Sequence, residues 1–166
     1  MVKVKYIVTT LLVVILAIVV WVYLVQSDTK KIKKQFDSLS KLVSKEPGEN
    51  PITMATKAKN IATLFAETCE LTNPIDGLTE TYTPAEMSSY AANSRIAFAE
   101  LSLNFFDLNV EFPETGLARV TLTGNLKGRL MSGNIIDETR EVQCVLKKIG
   151  RNWLFSEIEV VEVLKR

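Results

Sequence analysis

The sequence predicts an α+β chain: one apolar N-terminal transmembrane helix, then three helices packed on a curved antiparallel sheet. Three observations carry this. Tyr6 to Val25 holds twenty residues and no charge. Between Asp28 and about residue 100, apolar residues recur at helical spacing. Beyond residue 100 the period falls to two, and each break between apolar runs holds a glycine.

At about 1.5 Å per residue, the Tyr6–Val25 run reaches roughly 30 Å, the thickness of a bilayer's hydrocarbon core. It ends in Trp21-Val22-Tyr23-Leu24-Val25-Gln26-Ser27, without the small-residue step of a cleaved signal peptide. No cysteine lies near it for a lipid anchor. A core helix is seldom apolar on every face over such a length. Tyr6 at one end, and Trp21 and Tyr23 at the other, suit the headgroup level. Residues 1–27 are therefore expected to be a membrane anchor with a short basic tail, and 28–166 one domain. The bilayer is the expected partner of residues 6–25.

Orientation draws on two opposed signals. Lys30, Lys31, Lys33 and Lys34 outnumber Lys3 and Lys5, which favours a cytoplasmic domain. A five-residue basic tail before a long apolar run has the shape of a signal-anchor with its tail inside. The reading taken is a single-pass protein of a bacterial inner membrane, with its domain on the periplasmic or extracellular side.

Composition excludes several chemistries. Of 20 basic residues, Lys3 and Lys5 precede the anchor; the other 18 face 19 acids, a net charge of −1. That balance leaves no basic face for nucleic acid. There is no histidine, and the two cysteines are Cys69 and Cys144. A His/Cys metal cluster and a Ser–His or Cys–His pair are excluded by count. No catalytic, cofactor or metal residue is assigned.

Taken in order, Ile32, Phe36, Leu39, Leu42 and Val43 mark an amphipathic helix over about 28–45. No breaker separates it from the anchor, so the two helices are expected to run together. Its lysines are read as a solvated face, with anionic headgroups as the alternative. Glu46-Pro47-Gly48-Glu49-Asn50-Pro51 is a loop. Met54, Ala58, Ile61 and Phe65 mark a second helix, about 52–66, and Thr68–Thr72 a poor strand. Asn73 to Gly77 is a turn. Thr83-Pro84-Ala85-Glu86 starts a third helix with a capping box and a proline at its first position. That helix is expected to reach about Glu100, with Met87, Tyr90, Ala91, Ser94 and Ala97/Phe98 inward.

Four strand-like runs follow, about 101–112, 117–130, 135–149 and 152–164. In the second, Ala118, Val120, Leu122 and Leu126 point one way, and Arg119, Thr121, Thr123, Asn125, Lys127 and Arg129 the other. Val142, Cys144 and Leu146 share a face of the third. Short glycine-bearing connections force an antiparallel meander, and Gly124 and Gly128 permit a bend.

With these elements in place, Ile32 to Leu164 resembles a nuclear transport factor 2-like domain, the cone-shaped fold shared with ketosteroid isomerase and SnoaL-type proteins. The features are an amphipathic helix, a helix feeding Phe65-Ala66-Glu67-Thr68-Cys69-Glu70-Leu71, the capped Thr83-Pro84-Ala85-Glu86-Met87, four long strands, and the closing Lys147-Lys148-Ile149-Gly150-Arg151-Asn152-Trp153-Leu154-Phe155. The resemblance implies a site in the cone between helices and sheet, built on a carboxylate in apolar surroundings. It also implies that Cys69 and Cys144 lie two strands apart, beyond disulfide reach, as free thiols.

Candidate cone acids are Asp107, Glu111, Glu157 and Glu159, with Tyr82 and Tyr90 as donors and Glu162 close by; the plainer reading puts the acids on the solvated outer face of the sheet and makes Tyr82 and Tyr90 core or rim aromatics. Trp153 is read as a core anchor beside a possible pocket. The role expected is that of a non-enzymatic, membrane-anchored module for protein docking, with a protein partner or a second copy. The alternatives are small apolar ligand binding, or an isomerase- or dehydratase-type enzyme using the cone.

Overall fold

In the computed structural model the backbone is described for residues 2–74 and 77–161, and side chains for 12–19 and from Val22 onward within that range. The chain divides into two compact units, Met1–Ile32 and Lys33–Arg166.

The first unit is helical. Helix α1 runs Val2–Val43 without interruption, beginning in this unit and ending in the second. The part from Leu12 onward is long and apolar enough to cross a membrane, and its most apolar window is 0% buried. Leu12, Leu16, Val19 and Leu24 are all exposed. Tyr23 is exposed too, whereas the side chains of Tyr6 and Trp21 lie outside the described residues.

The second unit is α+β. After α1 come α2 (Pro51–Ala62), β1 (Phe65–Asn73), β2 (Leu78–Tyr82), α3 (Pro84–Ala97), β3 (Phe98–Glu114), β4 (Leu117–Leu130), β5 (Ile135–Ile149) and β6 (Asn152–Val161). The six strands form one sheet in the order β2-β1-β6-β5-β4-β3. The meander β3 to β6 is antiparallel, as the glycine-bearing connections require. The β1–β6 pair is parallel.

Three boundaries differ from the sequence expectation. Phe65 belongs to β1 rather than α2, because the Leu64 carbonyl accepts from the Phe155 amide and Phe65 pairs with Phe155. Helix α3 stops at Ala97, where Phe98 turns extended to pair with Leu130. Leu78–Tyr82 is an unforeseen strand, folded back on β1 with Cys69 opposite Tyr82 and Asn73 opposite Leu78.

One face of the sheet is covered by helices. Ala118, Val120, Leu122, Cys144, Leu146, Trp153 and Phe155 are buried on it. From α1, Phe36 meets Phe105 and Phe155 edge-on, with ring centroids at 5.3 and 5.0 Å. Edge-on aromatic pairs add about 0.5–1.5 kcal/mol each beyond the area they bury. Gln35 donates to the Trp153 carbonyl and Ser40 to that of Leu103, tying α1 to both ends of the meander. Gly128 is where β3 crosses most closely: a Cβ there would stand 2.8 Å from the Phe98 ring.

Among the described residues Arg95 is the largest fully buried side chain. Its guanidinium donates to the Leu42, Val43 and Ser44 carbonyls at 2.6, 2.6 and 3.0 Å, and to Glu49. Lys57 pairs with the other Glu49 oxygen at 2.5 Å. Burial pushes the Glu49 carboxyl up, but the Lys57 hydrogen bond and the Arg95 and Lys57 charges outweigh it and hold it below its ordinary 4.5. A carboxylate with a lowered native pKa stabilises the fold above its unfolded value and loses that contribution as pH falls through the native one. Urea titrations should therefore show a stability loss below about pH 4.5 that the Glu49→Gln variant lacks. An unchanged acid slope in that variant would remove Glu49 from the account.

Candidate active site

The strand register builds a continuous row across the helix-covered face. Val120 stands opposite Cys144, Cys144 opposite Ile158, Ile158 opposite Leu71, and Leu71 opposite Glu80. Val120 and Cys144 are buried, while Ile158 and Leu71 are half-buried. Burial thus fades along the row as it passes beyond the aromatic plug of Phe36, Phe105 and Phe155. A cavity of about 300 Å³ opens where it fades.

Leu71, Ile158 and Val160 line this cavity from the sheet, with Leu78, Thr72 and Asn73 at the β1–β2 end. Glu80 and Tyr82 come from β2, and Tyr90 from α3. Among the described residues no lysine or arginine lines it. Helix α3 is fixed locally by its Thr83–Glu86 capping box, in which each side chain bonds the other residue's backbone amide. Such a cap stabilises by about 1 kcal/mol. Ser88 donates to the Ala58 carbonyl of α2 at 2.8 Å and holds the helix over the sheet.

Tyr82 donates its hydroxyl to Glu80 Oε2. The two share a strand face because they stand two residues apart. The bond to Glu80, then burial and the nearby charges of Glu80, Tyr90 and Glu86, raise the Tyr82 phenol above its ordinary 10. Tyr82 is therefore a neutral donor at any physiological pH. Tyr90 stands beside it, ring centroids 6.1 Å apart and planes tilted at 48°. A carboxylate, a fixed phenol and an apolar wall together can take a proton from carbon and return one to oxygen.

The structure brings Tyr82 and Tyr90 into one wall. Tyr90 is 59% exposed, not inward-facing in the helix core; Met87 and Arg95 are the buried residues of α3. Asp107, Glu111, Glu157 and Glu159 are exposed and line none of this cavity. Asp107 sits at an irregularity of β3 with φ 54°. Glu157 lies opposite Val145 and Glu159 opposite Gln143, on the sheet face away from the helices. Glu162 lies outside the described residues. Trp153 is buried against Phe112 in the core and does not line the cavity. Glu80 was not among the sequence candidates. The alternation Leu78-Thr79-Glu80-Thr81-Tyr82, which aligns Glu80 with Tyr82, is the signal that would have found it.

A depression of about 600 Å³ near Leu101 and Ile136 is larger, but four of its six charged side chains pair with one another and Lys45 is committed to the Arg95 and Phe98 carbonyls. Lys127 meets Asp137 at 3.0 Å and Arg129 meets Glu100 at 3.1 Å. No group of three His, Cys, Asp or Glu side chains is placed to hold a metal among the described residues.

No family model matches the chain, and no curated protein matches it. Solved structures do. A scytalone dehydratase-like protein of Novosphingobium aromaticivorans superposes with TM-score 0.66 at 16% identity, over 84% of this chain and 86% of that one. A hexachlorocyclohexane dehydrochlorinase, LinA-type3 of Novosphingobium barchaimii, gives 0.62 at 15%, over 82% and 86%. A cystatin-like protein of Caulobacter vibrioides gives 0.61 at 9%, over 81% and 89%. The class is thus an α+β cone with a cavity on its helix-covered face. Its fold is that of the nuclear transport factor 2-like domains, behind an apolar N-terminal helix.

The expectation of a non-enzymatic domain, drawn from the lack of histidine and of a matched acid–base pair, is corrected here. The structures sharing this fold include a dehydrochlorinase, and the cavity itself pairs a carboxylate with a phenol. The absence of histidine does not exclude catalysis.

The thiols stand apart from this chemistry. Cys69 and Cys144 are free and buried. Burial, followed by the charges of Glu157 and Glu70, pushes the Cys69 thiol up to about 12. Burial, with Cys69 adding to it, raises Cys144 as well. Thiolate is the reactive form. A thiol reagent at neutral pH should thus leave the folded protein unlabelled and find two thiols in the unreduced, denatured chain. Rapid labelling of the native protein would contradict this placement.

Proposed function

We propose that the domain is an isomerase- or dehydratase-type enzyme acting on a small, largely apolar substrate in the cavity beside Tyr82 and Tyr90. The observation that carries the reading is the Glu80–Tyr82 hydrogen bond at the edge of an apolar wall. Support comes from the solved structures that share the fold: dehydration and dehydrochlorination both remove H and a leaving group from neighbouring carbons. The docking role expected from the sequence has no observation behind it.

In this reading Glu80 Oε1 takes the proton from carbon, and the C–H pair becomes the new double bond. With Glu80 neutral, the Tyr82 hydroxyl turns from Oε2 to the leaving hydroxyl, which departs with its own bonding pair and takes the Tyr82 proton, forming water. The Glu80 carboxyl then rotates to present its protonated oxygen to the Tyr82 oxygen and returns the proton, closing the cycle. Proton transfer by a positioned group contributes about 10²–10⁴-fold. Deuterium exchange or elimination, followed by NMR against a panel of small cyclic hydroxyketones, should fall by about that factor in Glu80→Gln. Substrate binding should be kept. Full activity in that variant would end the assignment.

We also propose that residues 1–27 anchor the chain, meeting the bilayer through residues 6–25, in a bacterial inner membrane with the domain outside. The length and apolar surface of α1 support the anchor. The protein should stay with membranes through alkaline carbonate extraction, and protease added to spheroplasts should remove the domain. Release by carbonate would overturn the anchor, and a protected domain the orientation.

A further inference from the structure

We propose that the tip of the β5–β6 hairpin, with Lys33 and Lys34 beside it on α1, rests on an anionic lipid surface. The inference rests on the anchor reading above and is independent of the enzyme reading. Three observations point to it.

The first is the tip itself. Lys147, Lys148, Ile149, Gly150, Arg151 and Asn152 are all exposed. Ile149 pairs with Asn152 across a two-residue turn, and Gly150 takes the φ of 62° that such a turn needs. Lys147 and Ile149 share a strand face, and Ile149 is 52% exposed. An apolar side chain ringed by Lys147, Lys148 and Arg151 suits a membrane interface, where buried apolar area and attraction to acidic lipid act together.

The second is charge. The hairpin is tied to α1 by Gln35, which donates to the Trp153 carbonyl, and Trp153 stands opposite Lys148. Lys33 and Lys34, just before Gln35, are exposed. Lys148 reaches over the Trp153 ring, 5.6 Å from its centroid. Among the described residues Lys33, Lys34, Lys147 and Arg151 enter no ion pair. Two acids stand by: Glu114 lies in one row with Leu117 and Lys147, and Asp37 lies one turn along α1 from Lys33. Near the other end of β5, by contrast, Lys127 and Arg129 are each paired with an acid. Lys33, Lys34, Lys147, Lys148 and Arg151 thus make a local positive patch on a domain whose overall charge is −1.

The third is the tether. Lys33 follows Val25, the last residue of the apolar run, by eight residues. However the two units are arranged, that much chain reaches at most about 28 Å. With residues 6–25 in a bilayer, the patch never leaves the neighbourhood of the headgroups, and this selects lipid over a soluble acidic protein as its partner. Attraction to acidic lipid fades within about 8 Å at physiological salt. It therefore selects, among the orientations the tether permits, those that bring the tip to the surface.

The test uses the full-length chain with Ile149→Cys carrying a nitrobenzoxadiazole label, the native thiols being buried. The chain is reconstituted in vesicles of phosphatidylcholine with and without phosphatidylglycerol. In the mixed vesicles the label's emission should move to shorter wavelength and be quenched by nitroxide-bearing lipids. In phosphatidylcholine alone it should read as in water. A label at Ile135→Cys, on the other end of β5, should read as in water in both. Lys147→Glu with Arg151→Glu should return the label at 149 to its aqueous signal. An aqueous signal in the mixed vesicles, from chains that carbonate does not release, would overturn the lipid contact and leave the anchor standing. Release by carbonate would remove both. Equal quenching in the two kinds of vesicle, or quenching that survives the two glutamates, would overturn the choice of anionic lipid.

Discussion

The buried guanidinium of Arg95 is the constraint on which the helical layer of the domain depends. A helix ends with carbonyls that have no partner of their own. At the end of α1, three of these positions, Leu42, Val43 and Ser44, accept from one Arg95 nitrogen. The other terminal nitrogen meets Glu49 in the loop that leads to α2, and Glu49 also meets Lys57 on α2 itself. One side chain of α3 thereby fixes the end of α1, the following loop and the start of α2. Lys45 repeats the device in reverse, donating to the Arg95 and Phe98 carbonyls at the end of α3. Its backbone pairs with Leu101, which closes part of the open edge of β3. Breaking a buried charge network of this kind by removing one partner costs about 3–5 kcal/mol, because the remaining charge stays buried.

Such rigidity matters for the site because Tyr90 belongs to α3. Two independent supports, the Arg95 hub at the C-terminal end and the capping box at the N-terminal end, fix where that helix lies. Tyr82 comes from the opposite side, on a strand whose position is set by its register with β1. The distance between the two rings is thus decided by the helix layer and the sheet edge together. The cavity exists because the aromatic plug under α1 stops short of β1 and β2: Phe36 reaches Phe105 and Phe155, while Leu71, Ile158 and Val160 extend past it.

Much of this was legible in the sequence, for identifiable reasons. Period-two runs with glycine at their ends specify a meander wherever one face is buried, and the four long strands followed. The Thr83–Glu86 box is a local interaction and was readable as such. Nonlocal pairing was not. Phe65 has helical spacing with Ile61, yet it joins β1 because Phe155, ninety residues away, offers it a partner. Arg95 reads as a surface residue, and only the convergence of three helix-terminal segments buries it. Glu80 was missed because its strand is short and its importance arises from where β2 folds back. Glu157 and Glu159 alternate on β6 and lie on the outer face, where the plainer reading of the sequence puts them.

In the reading proposed above, the site works without histidine. Histidine suits proton transfer because it titrates near neutral pH. A carboxylate and a phenol reach a similar end by division of labour. The carboxylate is the acceptor, and the phenol, its pKa raised by that very carboxylate, stays protonated and can donate. In that reading their closeness lets the proton gained by Glu80 be restored to Tyr82 after the carboxyl rotates, so neither has to exchange with solvent between steps. The arrangement needs water kept away at the moment of transfer, since an exposed carboxylate is a weak base toward carbon. Glu80 is exposed at the cavity edge. In the proposed reading, exclusion of water comes from the substrate itself, lying across Leu71, Ile158 and Val160, and a molecule too small to cover Glu80 is turned over poorly.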